Sequence, residues 1–395
     1  MNTMIGSKFK KDMEAASPRK LLVWIIIVSL AIRFALLDIQ THDFQKHLEQ
    51  WYAFILENGK IWALEHKFSN YNVPYLYLLV AASYLLEGLS SLHAVKTVSM
   101  FFDFVIAFFV YKIVSLRFHS GAMPCWAFGV ILLSPAVIVN SSIWAQSDVI
   151  YTAFLVMCFY FLCVERKAIA CIAFGLAVSF KLQAMFLAPL LFILLIRREL
   201  SWRHVTLVPV VFIVCLIPAW LTGRPFEELI QIYLEQYHTY GRLTLNAPNI
   251  YQWVSNDLYA ELVPPGFLIT TFAVLSLSFW MFKYKQALDF DMLLLLAIII
   301  LILVPFLLPK MHERYFYPAD IFSIVFAFNL PRYWPVPVAV VGCSFFSYSP
   351  HLLDFAIIPL PILSIVMLVV LVFLLRELKR KLENVTTSSS EHHSN

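Results

Sequence analysis

The most apolar stretch of the chain is MLLLLAIIILILVPFLLP, at residues 292–309, and it carries no charged side chain. A stretch of about 20 apolar residues is long enough for a helix to cross a bilayer. The chain has 395 residues, of which 61% are hydrophobic and only 14% are charged. A soluble globular protein needs a more polar surface than this composition can supply. The sequence therefore predicts an all-α fold, a polytopic bundle of transmembrane helices that satisfy their own backbone in lipid.

Apolar runs of similar length recur along the chain. The first is Leu21–Leu37, which follows a basic segment with Lys8, Lys10 and Lys11. It is long and lacks a small-residue cleavage site, so we expect a retained anchor and not a signal peptide. We expect one transmembrane domain over residues 1–382 and a disordered polar tail over 383–395. The further runs lie at about 74–89, 95–116, 123–142, 149–164, 168–181, 184–196, 204–221, 266–282, 292–309, 315–330, 335–349 and 356–375.

The basic residues predict the orientation of the chain in a cell membrane. If every basic connection is cytoplasmic, both termini are cytoplasmic and residues 38–73 and 90–95 both lie outside. One segment between these stretches then does not cross, and 74–89 is the best candidate because it is short and opens with Pro74. The prediction is about 12 crossings plus one half-inserted segment. The basic connections contain Arg117, Arg166, Lys167, Arg197, Arg198, Arg203, Lys283, Lys285, Arg332, Arg376, Lys379, Arg380 and Lys381.

Two outer loops are predicted to carry amphipathic helices that lie along the membrane surface. In the first loop the apolar face falls at Phe44, His47/Leu48, Trp51 and Phe54/Ile55. In the loop 222–264, the apolar face of the second helix consists of Phe226, Leu229/Ile230, Tyr233/Leu234 and Tyr237, and the polar face of Glu227, Glu228, Gln231 and Glu235.

Asp43, at the start of the first amphipathic helix, is the candidate catalytic base. A carboxylate beside a low-dielectric cavity can acquire a pKa suited to general-base catalysis. Aspartate is also a favoured N-cap residue, so a capping role is an equal alternative. Asp38 is the neighbouring candidate, although it could pair with Arg33 on the first crossing.

Lys310, His312 and Arg314 form the densest group of cationic donors on the predicted outer face. Lysine and arginine often snorkel at a membrane boundary. Three such residues in a short outer turn favour phosphate as the partner, because arginine offers a bidentate fork and lysine a compact charge. Lys181 and Asp148 are further ionisable groups on that face.

Two aspartates lie inside apolar runs. We expect structural roles for both, with Asp103 bonded to a hydroxyl and Asp320 paired with Arg314 or Lys310. The six cysteines all lie in apolar segments and are interpreted as packing residues. His42 and His47 have no partner at metal-ligand spacing, so no metal site is predicted. The net charge of +4 reports topology, and we expect no nucleic-acid partner.

Several polar motifs fall on the predicted outer side. In chain order they are Asp43 with its helix, Asn70-Tyr71 with Pro74-Tyr75-Leu76-Tyr77, the stretch Asn140-Ser141-Ser142-Ile143-Trp144-Ala145-Gln146-Ser147-Asp148, then Ser179-Phe180-Lys181-Leu182-Gln183, Leu243-Thr244-Leu245-Asn246-Ala247-Pro248-Asn249 and Lys310-Met311-His312-Glu313-Arg314-Tyr315. In series these motifs resemble those of bacterial GT-C superfamily glycosyltransferases, in the branch related to the second mannosyltransferase of GPI-anchor synthesis. The resemblance covers residues of about 20 to 330.

The resemblance implies a multi-spanning enzyme that uses a polyprenyl-phosphate sugar donor, with the aspartate of the first outer loop as base. It implies that Lys310, His312, Arg314 and Lys181 bind the donor phosphate. Two departures stand out: the family often has glycine where Ala145 stands, and no Asp-x-Asp surrounds Asp43. We expect no cofactor, and the second departure leaves the need for a divalent metal open. The implied substrate-binding residues are Tyr71, Trp144, Gln146, Asp148, Gln183, Asn246, Asn249 and Tyr315.

The expected activity is transfer of one sugar to a glycan or other hydroxyl acceptor on the outer face, with inversion. It depends on Asp43 and Arg314 lying around one shared cavity. The main alternative is a flippase for a lipid-linked saccharide, which would place polar groups along a route through the bilayer. A structural subunit of an envelope polysaccharide complex is a third possibility, in which Asp43 would be dispensable.

Overall fold

The computed structural model describes residues 17–119, 121–284 and 286–391, without the side chains of His238 and 384–391. The fold is 79% helical, with two very short strands among the described residues. This confirms the predicted all-α transmembrane fold. The N-terminal basic segment with Lys8, Lys10 and Lys11 and the last four residues, 392–395, lie outside the described residues.

The chain packs as two compact units. The first comprises residues up to Ala184 together with Arg203–Thr239, and the second comprises Met185–Trp202 and the residues from Tyr240 onward. The predicted domain over 1–382 and tail over 383–395 stay predictions, although the backbone is helical to Glu391.

The helices of the first unit are α1 (Pro18–Ala35), α2 (Glu49–Glu57), α3 (Val73–Leu85), α4 (Ser91–Arg117), α5 (Met123–Leu133), α6 (Pro135–Ile138), α7 (Asp148–Cys163), α8 (Lys167–Phe180), α11 (Leu207–Leu221) and α12 (Phe226–His238). Wider helical turns at Phe44–Leu48 and Val139–Ile143 and a 3₁₀ turn at Lys60–Glu65 accompany them. A second 3₁₀ turn, Leu182–Leu187, follows α8, and a short helix α10 (Trp202–Val205) precedes α11.

The helices of the second unit are α9 (Ala188–Ile196), α13 (Tyr259–Lys283), α14 (Phe290–Leu307), α15 (Tyr317–Asn329), α16 (Pro335–Ser347), α17 (Ser349–Leu353) and α18 (Leu360–Glu391). Its strands are β1 (Thr244–Leu245) and β2 (Met311–His312), and its 3₁₀ turns are Ile250–Trp253, Asn256–Leu258, Glu313–Phe316 and Pro331–Tyr333.

Each predicted apolar run is largely helical, although the runs 123–142, 204–221 and 335–349 each extend over more than one helix. Within the part of the chain that the structure describes, six helices are long and apolar enough to cross a membrane, and a seventh span exists if α5 and the bent segment after it count as one. The predicted number of crossings, the half-insertion of 74–89 and the sides of the loops stay predictions. The six spans are Ser91–Arg117, Trp202–Leu221, Asn256–Lys283, Phe290–Leu307, Pro331–Leu353 and Leu360–Glu383.

The run 123–142 is broken where α5 meets Pro135. Proline lacks an N–H donor and clashes with the preceding turn, so α5 ends at Leu133 and the chain bends by 48° before Pro135–Ile143. The polar stretch 140–148 begins within the segment that follows this bend.

Both predicted amphipathic helices are present. Along the first, the buried residues are Phe44, Leu48, Trp51, Tyr52 and Ile55, which matches the predicted face. The second, α12, buries Leu229 and Ile232. Phe226 and Tyr233 are half-buried, whereas Ile230, Leu234 and Tyr237 are exposed, and the predicted membrane-facing role of this face stays a prediction.

In the first unit, α8 packs closely against α11. A Cβ atom at Gly175 would lie 2.9 Å from Val211 Cβ and 3.1 Å from the carbonyl oxygen of Val208. Glycine is therefore required at this position by the approach of α11. In the second unit, α14 is the core, because every residue from Met292 to Phe306 is buried.

We expect Gly175→Ala to lower the midpoint of thermal unfolding, because overpacking of about 1–3 kcal/mol outweighs the gain in helix propensity of about 1 kcal/mol. Gly342→Ala is the matched control, since this glycine also lies inside a helix but has no atom within 4 Å of its Cβ position. The control should raise the midpoint, and unfolding of the detergent-solubilised protein measures both. Equal effects of the two substitutions would contradict the close packing at Gly175.

Candidate functional site

Asp43 lies half-buried immediately before the helical turn Phe44–Leu48. Its side chain makes no capping hydrogen bond to that helix. Its Oδ2 atom instead accepts hydrogen bonds from Trp144 Nε1 and Gln146 Nε2, both at 3.0 Å. The carboxylate therefore does not cap this helical turn, and its role as a catalytic base stays a prediction.

Both donors to Asp43 belong to the loop that follows the bend at Pro135. The Trp144 side chain is fully buried, and Gln146 is 4% exposed. The backbone N–H of Gln146 donates to the carbonyl of Asn140 at 2.8 Å, which closes the loop. Ala145 lies between the two donors at φ +60°, the left-handed region that favours glycine. This conformation gives a physical reason for glycine at this position in the family that the sequence resembles.

The two hydrogen bonds have a clear electrostatic effect. Indole and amide N–H groups are neutral donors, so they stabilise and orient the carboxylate without cancelling its charge. A carboxylate held in this way can still accept a proton from a hydroxyl group.

Lys181 and Asp148 form a buried ion pair close to Asn140. Lys181 Nζ lies 2.5 Å from Asp148 Oδ1, and Asn140 Nδ2 lies 3.4 Å from Asp148 Oδ2. The same ammonium lies 5.7 Å from the ring centroids of Tyr71 and Tyr151. Asn140 therefore connects the loop that holds Asp43 with the ion pair of Lys181 and Asp148.

The motif at 70–77 is joined to the end of α8. Tyr71 contacts Trp51 and Tyr75, each with ring centroids 5.1 Å apart. Asn72 Nδ2 donates to the carbonyl of Ser179 at 2.9 Å. Gln183, also predicted as a site residue, has a buried Oε1 atom that accepts no hydrogen bond from the described residues.

In the second unit, two strands place the cationic motif. β1 and β2 pair in parallel, with Thr244 opposite Met311 and Leu245 opposite His312. Lys310 precedes β2 at φ +66°, and its N–H donates to the carbonyl of Leu243 at 2.7 Å. Its ammonium donates to the Tyr259 hydroxyl at 2.8 Å.

The other predicted phosphate-binding residues have different contacts. The ring of His312 lies between those of Tyr240 and Tyr315, at centroid distances of 5.0 and 5.1 Å. Arg314 Nη1 lies 3.3 Å from the buried carboxylate of Glu313, and His312 Nδ1 lies 3.9 Å from the same carboxylate. Glu313 therefore balances part of the positive charge of this motif.

Asn246 and Asn249, the remaining predicted site residues, hold the loop after β1. Asn246 has φ +60° and forms an isolated bridge with His312. Asn249 is fully buried, and its Nδ2 atom lies 3.4 Å from the carbonyl oxygen of Leu308. These contacts bring Asn246, His312 and Tyr315 together.

Tyr251 fixes the segment just ahead of Lys310. Burial raises the pKa of its hydroxyl, which donates to the carbonyl of Leu307 at 3.0 Å. Gly266 leaves room for that hydroxyl, because a Cβ atom there would overlap it.

The structure corrects the predicted pairing of Asp38 and confirms the predicted hydrogen bond of Asp103. Asp38 is 90% exposed and lies 2.8 Å from His93 Nε2, so it does not pair with Arg33. Arg33 instead pairs with Asp103, at 2.8 Å between Nη2 and Oδ2. The Asp103 carboxylate also accepts from the Ser141 hydroxyl at 2.6 Å, which confirms the predicted bond to a hydroxyl.

The predicted partners of Asp320 also differ from those observed. Asp320 is fully buried and accepts a hydrogen bond from Ser344 Oγ at 2.7 Å. Lys310 donates to Tyr259 and Arg314 to Glu313 instead.

Three residues were missed from the sequence: Lys96, which bonds to the segment before Asp43, Ser99, which bonds to Gln146, and Glu313, which pairs with Arg314. A lysine inside an apolar run, followed by polar residues three and seven positions later, is a detectable signal of a buried polar helix face. Glu313 belongs to the motif at 310–315, but no pattern in the sequence indicates that it pairs with Arg314.

Within the described ranges, no group of three or more His, Cys, Asp or Glu side chains is placed to hold a metal ion.

The comparisons with known proteins bear on the fold. No protein-family model and no curated protein sequence matches the chain significantly. Similar solved structures include two of ArnT from Cupriavidus metallidurans. The one bound to undecaprenyl phosphate has a TM-score of 0.57 and 14% identity, over 93% of this chain and 74% of ArnT. The apo structure has a TM-score of 0.53 and 15% identity, over 91% and 76%. These similarities show that the chain has an ArnT-like fold.

We expect Ala145→Gly to stabilise the protein. A non-glycine residue in the left-handed region costs about 1–3 kcal/mol, and the added freedom of glycine in the unfolded chain returns about 0.4–1 kcal/mol of that. The midpoint of thermal unfolding should rise by about 2 °C. Ala153→Gly, at a buried position inside α7, is the matched control and should lower the midpoint, because helical glycine costs about 1 kcal/mol. A lower midpoint for Ala145→Gly would contradict the strain at this loop.

Proposed function

We propose that this chain is a membrane glycosyltransferase that moves one sugar from a polyprenyl-phosphate donor to a hydroxyl group of a glycan acceptor. The observation that carries the proposal is the Asp43 carboxylate, held by Trp144 and Gln146 in a GT-C-like fold. The similar ArnT structure contains undecaprenyl phosphate, which supports a polyprenyl-phosphate donor. The finer assignment, a hexosyl and possibly mannosyl transferase acting on cell-envelope polysaccharide, rests on the sequence resemblance.

Asp43 acts as the general base in the proposed reaction. It accepts the proton of the acceptor hydroxyl, and the hydroxyl oxygen forms a bond to the anomeric carbon of the sugar. The bond between that carbon and the phosphate oxygen breaks, and its electron pair leaves with the polyprenyl phosphate. Attack from the side opposite the leaving group inverts the anomeric centre.

The leaving phosphate gains negative charge, so cations around it supply the larger electrostatic contribution. Lys310, His312 and Arg314 are assigned to this role, together with Lys181. Glu313 and Asp148 balance the charges of Arg314 and Lys181, and the donor phosphate competes with these carboxylates for the cations.

The remaining assignments concern the sugar, the acceptor and the membrane side. Tyr71, Gln183 and Tyr315 are proposed to contact sugar rings, because aromatic and amide groups suit that chemistry. Asn246 and Asn249 shape the loop beside His312. The site is placed at the outer face of the cell membrane, with both termini cytoplasmic. That Asp43 and Arg314 line one cavity stays a prediction. Transfer in the presence of a chelator tests whether a divalent metal is needed.

Asp43→Asn should abolish transfer, because an amide cannot take up the hydroxyl proton and loss of a general base costs about 10²–10⁴-fold in rate. The control is Asp38→Asn, which alters the exposed neighbouring aspartate that pairs with His93. A deletion strain carrying each variant is compared with one carrying the wild type, and the cell-surface glycans are profiled. One sugar should be missing with Asp43→Asn and present with Asp38→Asn.

Two results of that comparison would count against a transferase. A complete glycan in the Asp43→Asn strain would remove the base assignment. Accumulation of whole lipid-linked saccharides inside the deletion strain would identify a flippase instead.

Arg314→Ala should weaken binding of undecaprenyl phosphate, the leaving group of any donor on that lipid. A hydrogen bond to a charged group contributes about 1.5–3 kcal/mol, so the Kd should rise by about tenfold or more. Arg314→Lys keeps the positive charge but loses the bidentate donor geometry of the guanidinium group, so its Kd should lie between those of the wild type and Arg314→Ala. Arg332→Ala is the control, because this arginine also pairs with a carboxylate but is 57% exposed. An unchanged Kd for Arg314→Ala would contradict the phosphate assignment.

A further inference from the structure

The helix α4 carries a stripe of three buried polar residues. Lys96, Ser99 and Asp103 recur at i, i+3 and i+7, so they lie on one face of the helix, and each side chain is fully buried. Ionisable groups at such depth are costly unless specific partners compensate them. The partners of these three residues all belong to the segments that present Asp43 and its two donors.

Lys96 fixes the chain that leads to Asp43. Its ammonium donates to the carbonyls of Leu36 at 3.0 Å, Leu37 at 3.0 Å and Ile39 at 2.5 Å. These carbonyls follow the end of α1, where the chain has left the helix. Asp43 comes four residues after the last of them, so Lys96 sets the exit direction of this segment.

Asp103 connects the same helix α1 to the loop on the other side of the site. Its Oδ2 atom accepts from Arg33 Nε at 3.1 Å and Arg33 Nη2 at 2.8 Å, and from the Ser141 hydroxyl at 2.6 Å. Arg33 lies in the last turn of α1, and Ser141 lies in the helical turn Val139–Ile143. One carboxylate thereby joins the two segments that meet at Asp43.

Ser99 holds the loop that carries the two donors. Its hydroxyl donates to the carbonyl oxygen of Gln146 at 2.8 Å, while the N–H of Gln146 is bonded to Asn140. Both backbone groups of Gln146 are therefore fixed, and its side-chain amide is aimed at Asp43.

We propose that the stripe Lys96, Ser99 and Asp103 positions the general base, by fixing both the Asp43 segment and the Trp144–Gln146 loop from a single rigid helix. The proposal rests on the proposed function, in which Asp43 takes up the acceptor proton. A general base must lie within a fraction of an ångström of the position from which it can take up the proton. The residues that pack and hydrogen-bond around the base hold it there. The three stripe residues are positioning residues, since they act through Asp43 and its donors.

The indole of Trp144 reports this positioning directly, because its N–H donates to Asp43. The full-length protein is labelled with 5-fluorotryptophan in detergent micelles, and the ¹⁹F line absent from Trp144→Phe is assigned to Trp144. Asp43→Ala sets the position of the line without its acceptor. We expect Ser99→Ala and Lys96→Met to broaden the Trp144 line or to shift it toward its position in Asp43→Ala.

Two substitutions on the same helix are matched controls. Ser115→Ala removes a hydroxyl that bonds only within α4, to the carbonyl of Tyr111, among the described contacts. Lys112→Met removes a lysine that lies over the ring of Tyr160, away from both segments. Neither should change the Trp144 line.

The same variants are compared for function. Ser99→Ala should reduce the sugar transferred to surface glycans by about tenfold, which corresponds to about 1.4 kcal/mol in the barrier. Its Kd for undecaprenyl phosphate should stay within about twofold of the wild type, since the phosphate-binding residues are unchanged. A loss of lipid binding equal to the loss of transfer would identify general destabilisation and overturn the proposal.

A wild-type Trp144 line in Ser99→Ala would also overturn the positioning role, and this variant remains informative if Lys96→Met does not fold. Failure of the proposed function has a different signature. In that case Asp43→Asn would leave the surface glycans complete, whatever the fluorine spectra show.

Discussion

A charge inside an apolar bundle needs a partner, and this requirement organises the first unit. Arg33 and Asp103 lie on different helices, with side chains 1% and 0% exposed and 2.8 Å between Nη2 and Oδ2. Removing two charges from water is expensive, so such a pair depends on close geometry and on further hydrogen bonds. Ser29 and Ser141 supply them. The groups that compensate these charges therefore also determine where α1, α4 and the following loop meet.

The helices were predictable because lipid leaves the backbone few alternatives. Every apolar run is largely helical, and the first amphipathic helix buries the predicted face. The bend at Pro135 was not predicted, since the run 123–142 is apolar on both sides of it. Its only signal is the proline itself, which lacks the N–H that a continuous helix would use.

Side-chain partners were harder to predict than helices. Asp38 and Arg33 are close in sequence, which suggested a local pair, but the observed partner of Arg33 lies 70 residues away. The motifs placed Asp43, Trp144 and Gln146 on one predicted face, yet their hydrogen bonds follow from the fold of a loop with Ala145 at positive φ. Sequence spacing carries no information on such contacts.

The cationic motif shows the same limit within six residues. Alternation of Lys310, His312 and Arg314 suggested that all three face one anion. The backbone changes direction on both sides of β2, with positive φ before it and a 3₁₀ turn after it. Lys310 therefore contacts Tyr259, whereas His312 and Arg314 both lie near Glu313. Tyr259 and Glu313, which together contact all three of them, are as much a part of this motif as the cations.

The helix α14 is the most apolar of the candidate spans and also the one most enclosed by protein. During synthesis, the translocon releases a segment into lipid when its apolar residues gain about 0.3–0.6 kcal/mol each. After the neighbouring helices assemble around α14, those same side chains no longer touch lipid. The apolar composition of α14 therefore serves two separate purposes. It lets the segment enter the membrane during synthesis, and it fills the interior of the second unit in the finished protein.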